Sequence, residues 1–143
     1  MPVPTSRHLL RAKDLVDARY REPLDVKVLA RAAKLSAAHF SREFRREFGE
    51  SPHVYLLTRR LERAAALLRN TDRSVAEICF DVGLTSVGSF TTSFKRMFDA
   101  TPKEYRAQFP PAAARAVVPS CVVRAYARPQ HRTFREDKGT AAE

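Results

Sequence analysis

Apolar side chains recur at helical spacing over roughly the first hundred residues, and capping residues divide the pattern into seven segments. Leu9, Ala12, Val16 and Tyr20 mark one face of a helix predicted over 7–20. Asp25 is placed to cap a short second helix carrying Val26, Leu29, Ala30 and Ala33. Ser36 opens a third over 37–48, and Gly49 supplies its stop. Ser51-Pro52 is a cap followed by proline at the first helical position. It leads a long fourth helix over 52–69 with Val54, Leu57, Leu61, Ala64, Ala65 and Leu68. Ser74 with Glu77 three residues on is a capping-box signature for a fifth helix that Gly83 ends. A sixth is predicted over 86–98, and Thr101-Pro102 starts a short seventh ending near 108. The periodicity stops at Pro110-Pro111, and Pro119 and Pro129 follow, so 109–143 is expected to be a largely irregular extension.

The most informative feature is an internal repeat. Phe40, Phe44, Phe48, Pro52 and Tyr55 are matched fifty residues later by Phe90, Phe94, Phe98, Pro102 and Tyr105. Ser36 matches Ser86, Ser41 matches Thr91, Arg45 matches Lys95 and Arg46 matches Arg96. Upstream, Leu29-Ala30 resembles Ile78-Cys79, with one extra residue in the second copy's turn. Each copy reads as short helix, tight turn, longer helix. The expected class is therefore all-α: seven helices, two helix-turn-helix subdomains over 1–50 and 71–108, and a long central helix over 51–70 joining them.

The phenylalanines of each longer helix fall at i, i+4 and i+8, so they share one face and belong to the core. That assignment fixes what faces outward. In the first copy Ala37, Ala38, Ser41, Arg42 and Arg45 turn away from the ladder; in the second, Val87, Gly88, Ser89, Thr92 and Lys95 do. A helix with small residues at its start and long cations further along suits the major groove of duplex DNA. Arg42 is long enough to engage a guanine edge with two hydrogen bonds, Ser41 and Ser89 can bond to bases or phosphates, and Val87 can touch a thymine methyl. With the caps Ser36 and Ser86 and the flanking Arg46 and Arg96, these residues form the candidate DNA-binding set. The second copy has Thr92 where the first has Arg42, so the first is expected to be the stronger sequence reader and the second to contribute phosphate contacts and shape readout. At about 1.5 Å per residue the fourth helix spans about 27 Å. That is a reasonable rod for holding two reading helices about 34 Å, one DNA turn, apart, so a monomer could engage two successive grooves.

Charge agrees with this reading. The 143 residues carry 26 Lys and Arg against 16 Asp and Glu, a net +10, which favours a polyanionic partner. The two cysteines, Cys79 and Cys121, form no CxxC pair, which fits a reducing cytoplasm, with Cys79 as a small core residue. No run is long and apolar enough for a membrane span, and Met1–Ser6 carries no export pattern. His8, His39, His53 and His131 show no metal-ligand spacing, and no P-loop, dinucleotide or nucleophile-elbow motif occurs. Neither a metal, a cofactor nor an enzymatic activity is expected. The fold could alternatively serve as a protein-docking module without its own DNA specificity; Arg42, Arg45 and Arg46 clustered on one helix weigh against that.

The segments Leu29-Ala30, Ser36 to Phe40, Phe44 to Gly49, Ser51-Pro52 and Tyr55 resemble the first half of the AraC/XylS-type DNA-binding domain. Arg60-Leu61, Ala64 and Leu67-Leu68 resemble its linker helix. Ala76 to Ile78, Val82 to Leu84, Ser89-Phe90, Phe94 to Arg96 and Thr101 to Arg106 resemble its second half. The resemblance covers about 7–108. It implies a bacterial transcription regulator, usually an activator that contacts RNA polymerase. It also implies DNA contacts from Ala38, Ser41 and Arg42 in the first reading helix and from Val87, Gly88, Ser89 and Thr92 in the second. The chain departs from the pattern with Cys79 where alanine is usual, Asp99 where glycine is common, and Thr92 where arginine is frequent. The residues flanking the helical region leave little room for an effector-sensing domain, so the expectation is a stand-alone member acting as a monomer on DNA.

Overall fold

The computed structural model describes residues 5–111. All regular structure among them is helical: α1 (Thr5–Arg19), α2 (Val26–Ala32), α3 (Ala37–Phe48), α4 (Pro52–Asn70), α5 (Val75–Asp81), α6 (Val87–Phe98) and α7 (Pro102–Ala107). The seven expected helices are present, with ends shifted by one or two residues. The extension after residue 111, including Cys121, lies outside the described residues.

The capping signals act largely as their chemistry suggests. Asp25 Oδ1 accepts the Val28 N–H at 2.8 Å, and the hydroxyl oxygens of Ser36, Ser74, Ser86 and Thr101 each accept the N–H three residues on. These bonds satisfy donors that a helix start leaves open. Only half of the box read at Ser74 forms: the Glu77 carboxylate lies 3.4 Å from Arg73 instead. The reciprocal box occurs at α7, where Glu104 accepts the Thr101 N–H at 3.0 Å. That bond, and a second to the Thr101 side chain, hold the Glu104 carboxyl below its usual range.

The chain divides into two compact units between Arg60 and Leu61, inside α4. The core of the first unit is Leu9, Ala12, Val16, Leu29, Ala30, Ala33, Phe40, Phe44 and Leu56, with Leu15, Tyr20, Phe48 and Tyr55 packed at its margin. On α4 the buried positions in this unit are Pro52, Leu56 and Thr58; the expected Val54 and Leu57 are only half-buried. In the second unit Leu61, Ala64, Ala65, Leu68, Ile78, Cys79, Val82, Phe90, Phe94, Met97 and Tyr105 are buried. Burial raises the Cys79 thiol pKa, which keeps the sulfur protonated and unreactive.

The repeat extends further than the phenylalanine ladder. Leu9, Ala12 and Val16 on α1 correspond to Leu61, Ala64 and Leu68 on α4, all six buried. The carboxy-terminal half of α4 therefore stands in the second unit where α1 stands in the first. Each of these helices ends on an arginine brought from elsewhere in the chain. Arg60 donates to the carbonyls of Tyr20 and Glu22, both at 2.8 Å, just past α1. Arg106 donates to Leu68 at 3.1 Å and to Thr71 and Arg73 past α4. Each guanidinium thus adds donors to carbonyls at and just past a helix end, where the intrahelical ladder runs out.

Candidate nucleic-acid interface

The two candidate reading helices, α3 and α6, are positioned by their hidden faces. In α3 the rings of Phe40 and Phe44 lie 5.6 Å apart, Phe44 and Phe48 4.5 Å, and Tyr55 meets Phe44 at 5.7 Å. In α6 the matching distances are 5.8 Å for Phe90 and Phe94, 4.5 Å for Phe94 and Phe98, and 5.3 Å for Phe94 and Tyr105. Phe40, Phe44, Phe90 and Phe94 are all at most 1% exposed. Each such burial contributes about 1.5–3 kcal/mol, so rotating either helix about its axis would be costly. Both helices end in a left-handed residue, Gly49 at φ 82° and Asp99 at φ 60°.

With the ladders buried, the candidate set is brought to the outside of each unit. Ser36, Ala37, Ala38, Arg42, Arg45 and Arg46 are exposed in the first, and Ser86, Val87, Gly88, Ser89, Thr92, Lys95 and Arg96 in the second. Ser41 is the exception, half-buried at the edge of its face. Ser36 and Ser86 hold dual positions, because their hydroxyl oxygens already accept the N–H of His39 and of Ser89 at 3.2 Å.

Charge is not evenly available along α3. Arg46 lies 3.7 Å from Glu43, whereas neither Arg42 nor Arg45 has an ion pair among the described residues. Arg42, one turn in from the helix start, is thus an exposed cation with no ion-pair partner among the described residues. On α6 the exposed cations Lys95 and Arg96 sit in the last turn, and Lys95 acts electrostatically on Glu104. At the start of α6 the face carries Val87, 37% exposed, with Gly88, Ser89 and Thr92. Thr92 donates its hydroxyl to the Gly88 carbonyl at 3.1 Å.

His39, which the sequence marks only as lacking metal-ligand spacing, lies exposed beside this set. Its side chain is 47% exposed, 3.8 Å from Glu43. The repeat carried the signal, since His39 aligns with the exposed Ser89. Among the described residues no group of three or more His, Cys, Asp or Glu is placed to hold a metal ion, and no helix is long and apolar enough to cross a membrane.

A family model described as a helix-turn-helix domain matches residues 29–108. Regulatory protein SoxS of Escherichia coli strain K12 is 35% identical over 91 residues, which cover 64% of this chain and 85% of that protein. A crystal structure of an AraC-type DNA-binding domain-containing transcriptional regulator from Chromobacterium violaceum is 33% identical with a TM-score of 0.66, covering 72% of this chain and 92% of that one. The DNA-binding domain of the global transcriptional factor AdpA, solved in complex with a target DNA, is 32% identical with a TM-score of 0.67, covering 78% and 96%. The duplicated helix-turn-helix, its two phenylalanine ladders and these similarities together establish that the chain belongs to the AraC/XylS family of DNA-binding transcriptional regulators.

Proposed function

We propose that the protein is a sequence-specific regulator that inserts α3 and α6 into successive major grooves of duplex DNA, acts as a monomer on its site, and activates transcription through contact with RNA polymerase in the cytoplasm. The observation that carries the reading is Arg42: an exposed guanidinium without an ion pair among the described residues, on the side of α3 opposite its buried ladder. A guanidinium so placed can meet the O6 and N7 atoms of guanine in the planar geometry that arginine favours. The target DNA bound by the AdpA domain supports the same use of this fold.

The test is selection of bound fragments from a genomic pool, followed by Arg42→Ala on the selected sequence. We expect the variant to lose about tenfold or more in affinity for that sequence, consistent with about 1–3 kcal/mol per bidentate base contact. Weak, salt-sensitive binding to any duplex should remain. Failure of the unaltered protein to select any sequence at physiological salt would overturn the reading.

One observation favours a second reading, docking onto a protein without DNA specificity. Phe80 on α5 is 58% exposed, a large apolar ring in water beside Glu77 and Asp81. An exposed aromatic of this kind suits a protein partner. Phe80→Ala should leave DNA affinity unchanged while lowering transcription if both readings hold for different faces. If Phe80→Ala abolishes regulation and Arg42→Ala does not alter it, the docking reading stands alone.

A further inference from the structure

The start of α6 carries a glycine that the protein's own packing does not require. Gly88 is the second residue of the helix, exposed, and not in the left-handed region. A Cβ placed on it would meet nothing closer than the Ser86 hydroxyl at 4.0 Å. Glycine weakens a helix relative to alanine because it has more freedom to lose on folding. No turn, bulge or neighbouring backbone among the described residues accounts for it, and a glycine so placed leaves the α6 backbone open to close approach by another surface.

The groups around Gly88 indicate what kind of surface. Val87 is 37% exposed and offers only methyl groups. The exposed Thr92 has its hydroxyl proton committed to the Gly88 carbonyl at 3.1 Å. Thr92 therefore has no donor left for a base; it retains a γ-methyl and an oxygen able only to accept. The corresponding positions of α3 are Ala37, Ala38 and Arg42, where a long donor takes the place of Thr92. The Val87–Gly88–Thr92 surface is thus short, mostly apolar and free of charge. In the major groove the apolar feature that distinguishes one base from the others is the C5-methyl group of thymine.

We infer that Val87, Gly88 and Thr92 read thymine methyl groups by close apolar contact, with Gly88 admitting the approach. The inference rests on the proposal that α6 enters a major groove and assigns the base chemistry that it recognises there. Recognition is then divided: α3 reads a guanine through a charged donor, and α6 reads thymines through methyl contact.

The experiment replaces each thymine of the selected DNA site by uracil, one at a time, which removes the C5-methyl and leaves the pairing edge unchanged. At the thymines contacted by α6, affinity should fall about fourfold per methyl, the equivalent of one buried carbon. The fall should disappear at the same positions in Val87→Ala or in Thr92→Ser, which removes the methyl and keeps the hydroxyl. Gly88→Ala should bind at least tenfold more weakly while its melting temperature is unchanged or higher, a pair of opposite signs that loss of folding cannot produce. Specific binding with no uracil effect cancelled by either variant overturns this inference alone, as does full affinity in Gly88→Ala. Failure to select any sequence overturns the underlying reading of DNA instead.

Discussion

The two units share a buried plan and differ on the outside and in their fastenings. In both, three phenylalanines one turn apart meet a tyrosine from the next helix, and the ring distances agree to within half an ångström. The tyrosine hydroxyls show how much freedom surrounds that plan. Tyr55 donates to the Asp17 carboxylate at 2.7 Å, whereas Tyr105 accepts from the Arg69 guanidinium at the same distance. A hydroxyl can serve either polarity, so one core geometry carries an anion in one unit and a cation in the other. The exposed faces of α3 and α6 have diverged more widely, from Arg42 to Thr92. Packing constrains shape in both copies; chemistry is free to change wherever water or a partner, rather than another ring, is the neighbour.

The largest test of this comparison removes the central ring from each ladder. Phe44 and Phe94 are both fully buried, each touching two rings on its own helix and a tyrosine. Phe44→Ala and Phe94→Ala should each cost about 3–5 kcal/mol, a large share of the stability of a small domain. Urea unfolding followed separately by probes in each unit measures it. Similar losses, each confined to its own unit, sustain the equivalence of the two cores. A loss below about 1 kcal/mol at either position breaks it.

The tyrosine fastenings come next, and here the units should differ. Arg69 is 3% exposed and Tyr105 likewise, so Tyr105→Phe withdraws an acceptor from a buried cation. A bond to a charged group is worth about 1.5–3 kcal/mol. Asp17 keeps 37% of its side chain in solvent and a second cation, Arg59, at 3.2 Å. Tyr55→Phe should therefore cost less than about 1 kcal/mol. Equal losses in the two variants, measured by the same denaturation, would mean that burial of the partner does not govern the worth of this bond.

Much of the fold was readable in advance because its signals are local. Ser36, Ser86 and Thr101 are caps whose partners lie three residues away, and the phenylalanines mark a helical face through spacing alone. The exposure of Arg42 and Val87 followed from the burial of the ladder behind them. The fastenings were not readable. Arg60 reaches carbonyls 38 and 40 residues back, and Arg106 reaches others 33 to 38 back. Nothing in the chain marks a long cation as the stop for a distant helix, since the pairing depends on packing rather than on periodicity. The equivalence of α1 and the second half of α4 was hidden for a related reason. α4 closes one unit and opens the next, so its pattern reads as one continuous helix. The capping box at Ser74 was misread because Arg73, directly before it, competes for the Glu77 carboxylate.

The smallest expected effect concerns the turns, where the units exchange roles. In the turn before its reading helix the first unit has Lys34 at φ 60° and the second has Gly83 at φ 89°. After the reading helix the order is reversed, with Gly49 at φ 82° in the first and Asp99 at φ 60° in the second. A side chain with a Cβ in the left-handed region costs about 1–2 kcal/mol, less for aspartate, while glycine carries an entropic cost of about 0.5–1 kcal/mol. The difference predicts that Lys34→Gly stabilises by about 0.5 kcal/mol and Asp99→Gly by less. Thermal denaturation should show increases of about 2–4 °C or below. The reciprocal changes Gly49→Ala and Gly83→Ala should destabilise by about 1 kcal/mol. DNA affinity should be unaltered in Lys34→Gly unless that lysine also meets a phosphate; in that case stability rises while binding falls and becomes less sensitive to salt. A loss of stability in Lys34→Gly would show that its side chain holds the turn in a way that backbone geometry does not account for, and would end the symmetry between the two turns.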